Sequence, residues 1–240
     1  MSDISPNNRI PSAIELFAPS VKAVKVNLKI LLVFVVASGV LGYFVNKGFH
    51  YTTYVNPVTG YKSVRLHYGT QGGVMALLGT CFSLVTYPMY TFLQLSGAKG
   101  KHMTFREMLA ESKPYWLRLI GLLFVSMFIY MISAILLLVP VIFALRNYLL
   151  APYFMIDKNL GVGEALRQSK AYSSASGWVP FWVVLFAGAL ALTQFIPYVG
   201  YVISSGLAFA YSAAPAVLYS YVCKVNVSGQ GKVNAWSVDF

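Results

Sequence analysis

The sequence predicts an all-α fold: a polytopic helical membrane protein of about six transmembrane helices, with short cytoplasmic interfacial amphipathic helices and one external β-hairpin. Three observations predict it. Residues 171–223 carry no charged side chain; as one helix at ~1.5 Å per residue they would extend about 80 Å, against a bilayer core of ~30 Å, so they must cross and return. Two further charge-free runs cover 66–98 and 119–145. The chain is 58% hydrophobic and 10% charged, with a mean hydropathy of +0.65, whereas soluble domains carry about 25% charged residues.

The spans fall at 28–46, 71–96, 116–138, 141–156, 178–199 and 202–223. The first apolar run begins at Leu28 behind a charged lead, which reads as an uncleaved first span rather than a secretory signal. The third and fourth spans are short of room, and Pro140 favours a break between them because proline suits the first turn of a helix and disrupts its interior. A five-span alternative makes them one kinked helix. Charge decides between the two: with six spans and a cytoplasmic N-terminus, fourteen of the 18 Lys and Arg lie inside and only Lys47, Lys62 and Arg65 outside, a strong positive-inside bias. Both termini are then cytoplasmic, and the expected location is the inner (cytoplasmic) membrane. The net charge of +11 is assigned to anionic headgroups rather than to nucleic acid.

Residues 1–240 form one integral membrane domain, with parallel repeats expected over 12–96, 104–156 and 161–223. Glu15–Ser20 reads ELFAPS, Glu107–Ser112 EMLAES and Glu164–Ser169 EALRQS. Each precedes an apolar run, and Trp116 and Trp178 follow the last two. The expected unit is one short amphipathic helix lying at the interface plus two spans. Chance similarity is the competing explanation, since the residue types are common. The first unit carries an insertion, 46–68, in which two Tyr/Thr/Val-rich segments flank Asn56-Pro57-Val58-Thr59-Gly60. That is turn chemistry, and pairing Asn56 with Tyr61 sets His50 opposite His67. No carboxylate or thiol joins the two histidines on that side, so a surface hairpin is favoured over a metal site.

Arg146 is the most informative single residue. If the fourth span ends near Asp157, it lies about 16 Å above the inner boundary, where an unpaired charge costs about 2.5–3.5 kcal/mol. No Asp or Glu occurs in any predicted span. Asn147, Gln94, Gln194, backbone carbonyls or an anionic ligand remain as partners. Arg146 with Asn147 is therefore the candidate site for an anionic group such as a lipid phosphate. The competing role is structural, with the guanidinium bonded to carbonyls or nearer an interface. Prolines 88, 152, 197 and 215 lie within or at the ends of spans, and small residues recur at Gly72, Ala76 and Thr80 and at Gly206, Ala210 and Ala214. Helix packing explains both. No HExxH, GxSxG or P-loop pattern occurs, Cys81 and Cys223 suggest no disulfide or metal cluster, and Asn226-Val227-Ser228 falls in a cytoplasmic tail. Neither catalysis nor a cofactor or metal is expected.

The segment Arg146–Pro152, followed by Asp157, by Gly163, Glu164, Ala165, Leu166, Arg167, Gln168 and Ser169, and by Gly177-Trp178, resembles the membrane domain attached to some bacterial glycerophosphoryl diester phosphodiesterases and shared by related stand-alone bacterial membrane proteins. Pro19-Ser20 with Asn27 is similar to the start of those proteins. The resemblance implies a membrane module without hydrolytic activity, because the fused enzymes hydrolyse with a separate soluble barrel. It also marks Pro152, Asp157, Gly163, Glu164, Ala165, Leu166, Ser169 and Gly177 as an interfacial motif. The functional expectation is a non-enzymatic module that binds membrane lipids or organises a membrane or cytoplasmic protein partner. The alternative is a small permease for an anionic or amphiphilic solute, and an intramembrane enzyme has the least support. Cysteine introduced at Glu164 should be labelled only from the cytoplasmic side; labelling from outside would overturn the topology.

Overall fold

The computed structural model describes residues 10–47, 49–55, 62–68, 70–135, 138–193 and 200–228. Residues Asn56–Gly60, where the sequence predicts a turn, lie outside them, as do Arg9, Gln194, Pro197, Lys232 and both extreme termini. The fold is helical. In chain order the elements are α1 (Phe17–Val26), α2 (Leu28–Lys47), β1 (Phe49–Val55), β2 (Lys62–Tyr68), α3 (Thr70–Ala98), α4 (Phe105–Ser112), a 3-10 turn (Lys113–Tyr115), α5 (Trp116–Ile135), α6 (Leu138–Tyr148), α7 (Ala151–Lys158), α8 (Val162–Ala175), α9 (Val179–Leu192), α10 (Gly200–Tyr211) and α11 (Ala214–Ser228). Two compact units form: residues 28–90, and residues 1–27 together with 91–240.

Among the described residues, two helical stretches are long and apolar enough to cross a membrane, Phe105–Ile135 and Ile203–Lys224. The number rises to four if Phe17–Val26 with Leu28–Leu41, and Val162–Ser174 with Val179–Leu192, each count as one broken span. These are properties of a membrane protein. Large apolar side chains stand on the outside of α5, where Phe124, Met127, Phe128, Met131 and Ile132 are all exposed. A cluster of exposed large apolar side chains marks a surface that meets a membrane or another protein.

The span expected at 141–156 is a different object. Helix α6 stops at Tyr148, Leu149 and Leu150 form a turn, and α7 starts afresh at Ala151 with Pro152 in its first turn. Proline lacks the N–H that would continue the ladder of α6, and its ring excludes the preceding carbonyl. Pro140 lies in the first turn of α6, as its chemistry requires. The short helix expected ahead of Trp116 also differs: α4, the 3-10 turn and α5 run on as one stretch, with Pro114 in the first turn of the 3-10 segment.

In the smaller unit, β1 and β2 pair antiparallel with Phe49 opposite Tyr68 and His50 opposite His67. This is the register obtained by counting outward from Asn56 and Tyr61.

In the larger unit the core holds Leu16, Leu93, Met108, Leu119, Leu150, Phe154, Met155, Tyr211 and Leu218, all nearly inaccessible. Polar ties bind its parts. The Ser20 hydroxyl donates to the Ala210 carbonyl (2.9 Å) and the Tyr211 hydroxyl to the Ala13 carbonyl (2.7 Å). Asn27, 4% exposed, donates through Nδ2 to Ser96 Oγ (3.0 Å) and the Lys101 carbonyl (3.2 Å) and accepts from the Met103 N–H (3.0 Å).

The three Glu-to-Ser segments have common local features. Glu15 and Ser12 bond reciprocally, as do Glu107 and Thr104, which form a capping box on α4. Glu164 holds the same place in the first turn of α8, but Gly161 at that N-cap offers no side chain. The residue after each glutamate (Leu16, Met108, Ala165) and the serine at its end (Ser20, Ser112, Ser169) are fully buried. A spacing of four places the two on one helical face.

Helix α1 and the end of α3 meet at Gly97, where a Cβ would lie 2.4 Å from the Ala23 carbonyl oxygen. Backbone stands on both sides, so relief requires the helices to separate. Gly97→Ala should destabilise the larger unit by about 1–3 kcal/mol, read as a lowered melting temperature in detergent; an unchanged melt would refute the close crossing.

Candidate functional site

Two polar regions stand out in the larger unit. The first surrounds Arg146, in the last turn of α6. Its Nε donates to the Gly177 carbonyl (2.8 Å), and its guanidinium lies 4.8 Å from the centre of the Trp178 ring. Gly177 has φ +65°, a left-handed conformation that glycine adopts without steric cost and that turns its carbonyl back from the end of α8. Among the described residues this is the one hydrogen bond Arg146 makes, and no carboxylate pairs with it. Of the partners the sequence offered, a backbone carbonyl is used. Gln94 is engaged elsewhere: its Oε1 accepts from the Tyr153 hydroxyl (2.8 Å) and its Nε2 donates to the Ser212 carbonyl (2.8 Å). Asn147 takes part through its main chain, its carbonyl accepting from Ser169 Oγ at 2.6 Å and Ser173 Oγ at 3.5 Å.

Pro152 starts α7, Ala165 and Ser169 are buried against the bundle, and Leu166 is half-buried. Glu164 and Gly163 are exposed, and a Cβ at Gly163 would meet nothing within 4 Å.

The second region gathers residues that are far apart in the chain. A cleft of about 330 Å³ opens between the end of α3, the end of α4 with the 3-10 turn after it, and the end of α7. Phe92, Leu95 and Ile156 are its apolar lining, and Lys99, Lys101, Glu111 and Asp157 its charged one. Lys99 pairs with Asp157, and Lys101 Nζ donates to both Glu111 oxygens at 3.0 and 3.1 Å. Tyr115 closes one side, its ring 6.3 Å from that of Phe92.

Asp157 is the best-anchored member, because the Tyr219 hydroxyl donates to its second oxygen at 2.6 Å. Burial alone would raise its carboxyl; the hydrogen bonds from Lys99 and Tyr219 outweigh that, and Asp157 titrates below its ordinary range. Behind it, Tyr219 packs edge-on against Phe154 at 4.8 Å. Lys158 lies over the rings of Phe154 and Tyr172, at 5.1 and 5.0 Å.

Of the expected site residues, the structure brings Arg146 and Gly177 together, and Asn147 and Ser169. It places Asp157 in the cleft with Lys99, Lys101, Glu111 and Tyr115 and ties it to Tyr219, and none of these partners is a candidate from sequence. Among the described residues no three His, Cys, Asp or Glu side chains are grouped to hold a metal. No protein-family model matches the chain, and no curated protein or solved structure matches it either.

Asp157 tests the network. Its carboxyl titrates lower in the folded chain than in the unfolded one, so the unfolded chain binds more protons and the stabilisation is complete above the usual ~3.9 and lost as pH falls through the depressed value. Asp157→Asn should cost about 1 kcal/mol at neutral pH and should flatten the fall in melting temperature below about pH 4. An equally steep fall in the variant would assign that dependence to other groups.

Proposed function

We propose that this chain is a non-enzymatic integral membrane module that binds phospholipid in the bacterial inner membrane, with α1, α4 and α8 at the level of the cytoplasmic headgroups. The observation that carries the reading is Arg146. Its guanidinium is steered by one carbonyl and one indole, and among the described residues only Nε is committed, which offers its Nη groups to a phosphate. A charge held in place this way beside Trp178 suits the boundary between headgroup and acyl chain, where tryptophan and arginine concentrate.

Further support comes from the exposed apolar face of α5 and from the excess of basic over acidic residues in the chain, 18 against 7. The resemblance of residues 146–178 to the phosphodiesterase-associated membrane domains points the same way. The six-span topology with both termini inside belongs to this proposal, as do the three parallel repeats: their shared glutamate position and buried serine are what three copies of one unit would have.

Transport is the second reading. Its support is the Gln94–Tyr153 pair at the Ser212 carbonyl, beside a buried Ser212 hydroxyl that has no partner among the described residues.

Native mass spectrometry of the purified chain separates the two readings. Retained phospholipid is expected, and Arg146→Gln should lower the retained fraction about tenfold, the equivalent of one charge-assisted hydrogen-bonded contact. Absence of any retained phospholipid would sink the lipid reading and leave transport as the account of Arg146.

A further inference from the structure

The cleft between α3, α4 and α7 has a charge pattern that a simple anion site lacks. Two lysines and two carboxylates line it, so its net charge is zero, and each charge is already neutralised by a neighbour. An anion entering alone would separate Lys101 from Glu111 and leave that carboxylate beside it unopposed. A cation would strand the lysine in the same way. A ligand carrying both signs replaces both halves of the pair at once.

The two pairs also differ in how readily they exchange. Asp157 is held by Lys99 and by the Tyr219 hydroxyl. Among the described residues Glu111 is held by Lys101 alone, and both side chains are about half exposed, 44% and 58%. Ion pairs this exposed contribute little and break easily.

We propose that this cleft binds a zwitterionic phosphoester, with its phosphate at Lys99 and Lys101 and its ammonium at Glu111 beside the ring of Tyr115. The inference rests on the lipid reading above and names the headgroup class. The volume of about 330 Å³ lies at the small end of ligand sites, ~300–1,000 Å³, which suits a headgroup rather than a whole lipid. Tyr115 and Phe92 offer aromatic faces to an ammonium, and Leu95 and Ile156 offer an apolar floor to the carbons of the ester. The same chemistry occurs in an ethanolamine phospholipid and in free phosphoethanolamine.

The test uses the full chain in detergent, delipidated and then offered phosphatidylethanolamine or phosphatidylglycerol, with binding read by native mass spectrometry. The wild type should prefer the ethanolamine lipid. Glu111→Gln should lower that preference about tenfold without weakening phosphatidylglycerol binding. Lys101→Gln should weaken both lipids, and Lys101→Arg should restore them. Thermal melts of the variants must match the wild type, as expected for half-exposed positions. Soluble phosphoethanolamine identifies the source: if it binds in a Glu111-dependent way without lipid, the ligand is the free ester, and if it does not while the lipid does, the ligand is the headgroup. An ethanolamine-to-glycerol preference that is absent, or indifferent to Glu111→Gln, overturns the proposal while leaving the lipid reading intact. A chain that retains no phospholipid and binds no phosphoethanolamine overturns both.

Discussion

The carboxamide of Asn27 holds together the region on which the rest of the larger unit depends. It is buried at the end of α1 and reaches Ser96 in the last turn of α3 and the main chain of Lys101 and Met103 beyond it. An amide is suited to this position because one terminus supplies donors and the other an acceptor. Aspartate would face the Lys101 carbonyl with like polarity, and an aliphatic residue would leave the Met103 N–H without its partner. With the end of α3 held there, Gly97 meets the Ala23 carbonyl and the segment carrying Lys99 and Lys101 is directed toward α4 and α7.

Much of the local organisation was legible because it follows from single-residue chemistry. The glutamate three residues after Thr104 announces the capped start of α4. Pro114, Pro140 and Pro152 each lie in the first turn of a helical segment. The His50–His67 register follows from counting outward from a turn. The repeated motif was legible only in part. Two copies, EMLAES and EALRQS, have a leucine at the same offset, yet Leu109 is exposed and Leu166 half-buried. The buried positions are the residue before that leucine and the serine at the end. The former varies among Leu16, Met108 and Ala165, so identity hides it while burial exposes it.

The cleft was not legible. In the sequence Lys99 and Lys101 read as topological charges, Glu111 as an acid outside the spans and Asp157 as part of the interfacial motif. Nothing in a linear pattern pairs residues 58 positions apart, as Lys99 and Asp157 are. Arg146 was recognised as unusual because a charge among apolar residues is costly. The sequence reading makes α6 and α7 one helix, whereas the turn at Leu149-Leu150 ends α6 just beyond Arg146, whose Nε meets the Gly177 carbonyl.

The separation of Lys99 from Asp157 has a consequence for biogenesis. In the proposed orientation Lys99 leaves the ribosome long before its acidic mate, and so enters the insertion machinery as a bare cation just after α3. At that stage it adds its full charge to the signal that keeps this loop on the cytosolic side. Only when the chain has been made past Lys158 can the pair close and the charge be masked. One lysine thus acts first as a signpost for insertion and later as part of a neutral, ligand-sized recess.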